Sequence, residues 1–296
     1  MLTKRIIPKK TIIPLAKLHS EINLKLPTTK SIPSENLGDY TWLIYGQKKI
    51  GKTSFAAQFP DALFMMFEPG GKALEIYQVN CDKWENALEY LNLLEQSKRK
   101  GDLIYKTIVI DTGFEAYQRC MSYVCEQLGI IYPREDNFGK DWSAIKTEFR
   151  TFQNRIMQLE LGIIVLCHER MKESQTRTGS KFDMIIPNLQ NPADDYFRAT
   201  IDNVCWYHYR NKERFLLIKG SDYAMAGSAL SNEKHFLTIK NESIFAVPMG
   251  KNAKESYFYL LKAFQNKQTE SYEQETTKFT EDSVRESIQK NIKRKR

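Results

Sequence analysis

The stretch Tyr45-Gly46-Gln47-Lys48-Lys49-Ile50-Gly51-Lys52-Thr53-Ser54 decides how this chain folds. It has the spacing G-x-x-x-x-G-K-[ST], a glycine-rich turn closing on a lysine and a hydroxyl. Glycines let the backbone curl until successive N–H groups point inward at an anion, and a helix start adds its own positive end. Gly46, Gln47, Lys48, Lys49, Ile50, Gly51, Lys52, Thr53 and Ser54 are therefore the candidate phosphate-binding residues. Lys52 has the reach for the outer phosphates, and the Thr53 hydroxyl can join the oxygen shell of a magnesium ion. The context suits the motif. Trp42-Leu43-Ile44-Tyr45 reads as a buried strand running into the turn, and 52–59 reads as a helix stopped by Pro60.

Working outward, short apolar strands alternate with helices. Strands are expected over 62–67, 107–110 and 162–167, and helices over 83–100, 114–128 and 143–159. That alternation predicts a mostly parallel central sheet with helices on both faces, an α/β fold. Segments 131–142 and 169–186 read as polar loops. A helix is expected over 194–201 and a β-hairpin over 204–210 and 214–219. The chain then returns through 235–239 to a short helix over 257–264. Three regions follow: a basic extension over 1–40, an α/β domain over 41–264, and a charged tail over 265–296 expected to be disordered. There is no internal repeat.

Three polar groups stand at expected strand ends. Asp111 closes Thr107-Ile-Val-Ile110, where a carboxylate can hold a magnesium water shell. The plainer reading of the same residue is a cap for the following helix. Glu68 ends the strand after the phosphate-loop helix, in position to act as a general base on water, or it is an ordinary loop glutamate before Pro69. His168 ends the 162–167 strand, as a phosphate sensor or as a structural hydrogen-bonder.

Composition bounds the class. The chain has 296 residues, 42% of them hydrophobic and 27% charged, which excludes a disordered or fibrous protein. The net charge of +8 is uneven: residues 1–30 carry seven bases against one acid, and 265–296 eight bases against six. Basic ends on a neutral body suit a polyanion such as nucleic acid, or serve as solubilising tails. The five cysteines contain no Cys-x-x-Cys pair, which speaks against zinc or a disulfide framework and for a reducing compartment. No apolar run approaches the length of a membrane span, and prolines interrupt the N-terminal segment where a signal peptide would be continuous.

Taken in order, Tyr45–Pro60, Leu63-Phe-Met-Met-Phe-Glu68, Thr107-Ile-Val-Ile-Asp111 and Gly162-Ile-Ile-Val-Leu-Cys-His-Glu169 resemble the RecA-like P-loop ATPase core. More narrowly, they are similar to phage Sak-type single-strand annealing ATPases. The resemblance covers about residues 40–220. It implies a RecA-like P-loop NTPase core with a C-terminal β-hairpin region, and ATP with Mg²⁺ as ligands, the ion held through Thr53 and Asp111. Glu68 would be the catalytic carboxylate and His168 the sensor. It further implies single-stranded DNA on two loops. Tyr132, Arg134, Phe138 and Lys140 would serve from the first, and Arg170, Lys172, Arg177, Lys181 and Phe182 from the second. Cations track phosphates and rings stack on bases, although such residues are also ordinary in solvated loops.

RecA-like proteins assemble as rings or filaments in which a base from one subunit reaches the next subunit's phosphate. Here Leu216-Leu-Ile-Lys219-Gly-Ser221-Asp222 offers Lys219 for that role, with Ser221 where a second base would stand. The expectation is a homo-oligomeric, DNA-stimulated, Mg²⁺-dependent ATPase of slow turnover. It would act in a phage or prophage setting in the host cytoplasm, without membrane, with a single-strand-binding protein as a possible partner. Two alternatives stay open: a nucleotide-gated DNA- or partner-binding module with little hydrolysis, and a small-molecule kinase.

Overall fold

The structure, a computed structural model, describes residues 26–134, 136–175, 181–210, 212–231 and 234–267. The chain divides into a unit of residues 1–34 and a larger unit from Glu35 onward. Residues 26–34 of the first contain no helix or strand.

The larger unit is built on one sheet. Strands β1 (Thr41–Gly46), β2 (Ala62–Met66), β3 (Tyr77–Asn80), β4 (Thr107–Asp111), β5 (Gly162–Gln175) and β7 (Asn203–Arg210) are mutually parallel neighbours. Hairpin partner β8 (Glu213–Leu217) and edge strand β10 (Ala246–Pro248) run antiparallel to this block. The spatial order is β10-β8-β7-β1-β5-β4-β2-β3, with β6 (Lys181–Pro187) attached to β5 and β9 (Gly227–Ser228) to β7. The mostly parallel α/β sheet expected from the sequence is the one observed, and the expected hairpin is β7–β8.

Period-two alternation buries both faces of the central strands. Leu43 and Tyr45 of β1 face a core covered by α2 (Trp84–Lys100), α3 (Gly113–Gln127), α4 (Lys140–Met157) and α5 (Asn191–Thr200). Trp42 and Ile44 face the opposite core under α1 (Lys52–Ala56) and α6 (Ala253–Phe264). The chain leaves β1 for distant β2, and β5 later inserts between β1 and β4. Such an order reversal opens a crevice at the carboxyl ends of the strands.

Several boundaries differ from expectation. Helix α1 stops at Ala56 because the next turns tighten, Phe59 N–H bonding back to Ala56 O. Helix α6 begins at Ala253, where the Asn252 side chain accepts from Glu255 N–H. Strand β3 was not foreseen: it is a short edge strand, largely exposed, with no apolar run to announce it. The largest correction concerns 169–186. It is not a loop. β5 continues straight through His168 to Gln175 and pairs antiparallel with β6, forming an arm that extends past the last β1–β5 pair.

One buried titratable group lies in this sheet. His208 on β7 is 2% exposed and stacks on Trp206, ring centroids 3.9 Å apart. Burial pushes its pKa down to about 4 from 6.5. Below about pH 6.5 the unfolded chain gains a proton that the folded chain refuses, so stability falls as pH drops toward 4. Between pH 7 and pH 5 the loss expected from this group is about 2 kcal/mol. Urea unfolding at the two pH values should show that loss in the parent chain and a correspondingly smaller one in His208→Phe.

Candidate phosphate-binding and hydrolysis site

Gly46 ends β1 level with His168 of β5 and Tyr207 of β7. A Cβ here would overlap the Tyr207 carbonyl oxygen, so the strand can enter the turn only through glycine. Gly51, with φ of 105°, turns the chain through the left-handed region into α1. Lys52 is 7% exposed, and its ammonium donates to Gly46 O at 2.9 Å and Gln47 O at 2.8 Å. Burial lowers its pKa, and Asp111, the largest opposing influence, raises it.

The Thr53 hydroxyl donates to Asp111 Oδ2 at 2.8 Å. Asp111 closes β4 and is nearly buried; desolvation raises its pKa while the Thr53 bond opposes the rise. These two oxygens fit the protein's share of a magnesium site, since that ion keeps most of its shell from water and phosphate. Among the described residues there is no cluster of three metal-ligating side chains that would hold a metal without such help.

Glu68 follows β2 and reaches across the end of β4 to β5. Its Oε1 lies 3.6 Å from His168 Nε2, a contact slightly longer than a hydrogen bond. His168 is the largest influence holding the Glu68 pKa below its ordinary value; burial opposes, and Lys48 and Lys52 add to the depression. Glu68 is thus in the carboxylate form at neutral pH, as a base requires. The His168 Nδ1 is buried without a partner among the described residues. Lys52, Thr53, Asp111, Glu68 and His168 consequently form one row along the carboxyl edge of the sheet, contributed by three neighbouring strands, β2, β4 and β5, and by α1.

Other expected site residues lie apart from that row. Lys219 is exposed and follows β8, where Leu217 is level with Trp206. Because β8 runs antiparallel to β7, Lys219 lies toward the amino edge of the sheet, away from the chain's own Gly46. On the arm, Arg170 and Lys172 are exposed, Phe182 is partly buried, and Lys181 pairs with Glu173 at 2.7 Å. Arg177 lies outside the described residues. In the α3–α4 connection Phe138 is almost fully exposed, and Tyr132 meets Trp142 edge-on at 5.9 Å. Lys140 is the first residue of α4 rather than part of a loop. Arg134 is committed to Asp141, with Nε at 3.0 Å and Nη2 at 3.3 Å from its two oxygens. Sequence reasoning also missed a contact beside the row: Trp206 Nε1 donates to Glu169 Oε2 at 2.7 Å. Its partners are 37 residues apart, and no local pattern connects them.

The fold and this row of groups define a P-loop ATPase, a protein that uses a nucleotide and usually Mg²⁺. Residues 39–246 match the family described as AAA domain, and the chain belongs to that family. Over 141 residues it is 26% identical to the SPbeta prophage-derived uncharacterized protein YorG of Bacillus subtilis (strain 168). That match covers 47% of this chain and 43% of the relative, so it spans less than half the relative's length. The crystal structure of the KaiC-like protein PH0186 from Pyrococcus horikoshii OT3 aligns with a TM-score of 0.41 and 14% identity, over 73% of this chain and 87% of that one. Among the described residues no helix is long and apolar enough to cross a membrane.

Proposed function

We propose that this chain is a phage-type recombination ATPase. It binds ATP with Mg²⁺, hydrolyses ATP, and works as a homo-oligomer on single-stranded DNA in annealing or strand pairing, in the cytoplasm of a host cell. The observation that carries the reading is the continuity of β5: the strand bearing His168 against Glu68 becomes, without a break, the arm bearing Arg170 and Lys172. Whatever bears on His168 bears on a basic arm suited to a phosphate backbone. The basic ends of the chain and the prophage origin in the relative's name are in keeping with it.

The chemistry assigns each group a task. Lys52 and the loop N–H groups bind the phosphates. Thr53 and Asp111 would hold the water shell of a bound magnesium ion, which would supply positive charge against the phosphates. Glu68 accepts the proton of the attacking water as ADP and inorganic phosphate form, and His168 holds Glu68 in place.

The test is steady-state hydrolysis with and without single-stranded DNA. A several-fold stimulation that falls away with added salt is the expected result. A rate indifferent to DNA, together with DNA binding indifferent to ATP, would overturn the nucleic-acid part. The position of Lys219 favours a second reading, because Lys219 lies away from the chain's own phosphate loop. In that reading ATP binding alone gates assembly. A non-hydrolysable analogue supporting DNA binding and annealing as well as ATP would select it.

A further inference from the structure

We propose that Glu169 and Trp206 form a positioning pair that sets His168 against Glu68; the inference rests on the ATPase reading above. β5 leaves the main sheet between two adjacent residues. His168 is the last to pair with β1, opposite Gly46, and Glu169 is the first to pair with β6, opposite Pro187. Past that exit β5 has lost both main-sheet neighbours and pairs with β6 alone, as a two-stranded ribbon, and ribbons twist more than sheet interiors. A side-chain contact back to the main sheet then fixes how the ribbon joins it.

Glu169 supplies that contact. Its Oε2 accepts from Trp206 Nε1 at 2.7 Å, so the bond reaches from β5 over β1 to β7. Trp206 is itself immobilised: it is 3% exposed, lies level with Tyr45, and stacks on His208 with the rings 8° from parallel. Successive strand residues point to opposite faces. Anchoring Glu169 on one face therefore orients His168 on the other, where Glu68 lies at 3.6 Å.

Other ties act on backbone groups. Ile185 N–H bonds to Tyr223 O at 2.8 Å, Met225 N–H to Ile185 O at 3.0 Å, and the Tyr45 hydroxyl donates to Met225 O at 2.5 Å. These hold β6, and Asn188 N–H holds the His168 carbonyl at 2.7 Å; Glu169 adds the tie from a β5 side chain back to the main sheet.

The experiment measures ATP turnover and equilibrium binding of a fluorescent ATP analogue in full-length Glu169→Leu, Glu169→Gln and Trp206→Phe chains. Glutamine keeps an acceptor oxygen in place, whereas leucine and phenylalanine each remove one side of the bond. Glu169→Leu and Trp206→Phe are expected to lower kcat roughly tenfold, the order of effect of a slightly misplaced group. Analogue affinity should stay within about twofold, and Glu169→Gln should keep most of the parent rate. In a His168→Ala background the same changes should cost nothing further. Unchanged kcat in Glu169→Leu, or an equal loss in the His168→Ala background, would overturn the pair while leaving the ATPase reading intact. No hydrolysis by the unsubstituted chain would overturn both. Should Trp206→Phe fail to fold, the leucine and glutamine variants decide alone.

Discussion

Lys52→Ala is expected to lose ATP binding and hydrolysis together while the protein stays folded. Among the described residues the ammonium's hydrogen bonds go to two carbonyls of its own loop. A cation so placed is carried at a cost, since burial already lowers its pKa. Phosphate oxygens would replace those neutral acceptors with charged ones, and a charge-assisted bond contributes about 1.5–3 kcal/mol. Its loss should weaken ATP affinity roughly 10- to 150-fold. Removing a desolvated charge relieves strain on the empty fold, so the melting temperature should move by no more than a few degrees. Titration with a fluorescent ATP analogue, beside a thermal melt, reads both effects. Retained affinity would remove Lys52 from the phosphate site, and a collapsed melt would make it a structural residue.

The second large effect separates binding from chemistry. Glu68→Gln keeps the size and polarity of the side chain but cannot take a proton. General-base groups contribute about 10²- to 10⁴-fold, so hydrolysis should fall by that order with ATP affinity nearly unchanged. Its position favours this outcome: the carboxylate is partly buried, held in its ionised form chiefly by His168, and placed on the same strand-end row as Asp111. Single-turnover hydrolysis would check it. A variant within threefold of the parent rate would make Glu68 a spectator and move the search for the base elsewhere.

How much of this was legible beforehand depends on the range of the interactions. The phosphate loop, Asp111, Glu68 and His168 could each be read because every one follows an apolar strand, and a parallel sheet delivers strand ends to a common edge. The local pattern therefore carried the three-dimensional meaning. The arm could not be read that way. Past Cys167 the chain runs His-Glu-Arg-Met-Lys-Glu-Ser-Gln, with no apolar alternation, and it is a strand only because β6 pairs with it. β3 was missed for the same reason, being held by β2 rather than by its own composition. The bond from Trp206 to Glu169 and the distance of Lys219 from Gly46 both depend on strand register, which one sequence does not display. Arg134, expected on a DNA-facing loop, is paired in the fold with Asp141, which no local pattern announces.

The unbroken run of β5 also constrains how this protein can diverge. Side chains on a strand alternate faces, so residues entering or leaving between Cys167 and Arg170 act by parity. One added residue before His168 would turn that imidazole away from Glu68 and bring its neighbour to the wrong side. Two added residues would restore the facing, at the expense of a longer reach. The root of the arm can therefore change length only in even steps, whatever residues stand around His168 and Glu169. Descendants of this sequence should keep that count fixed.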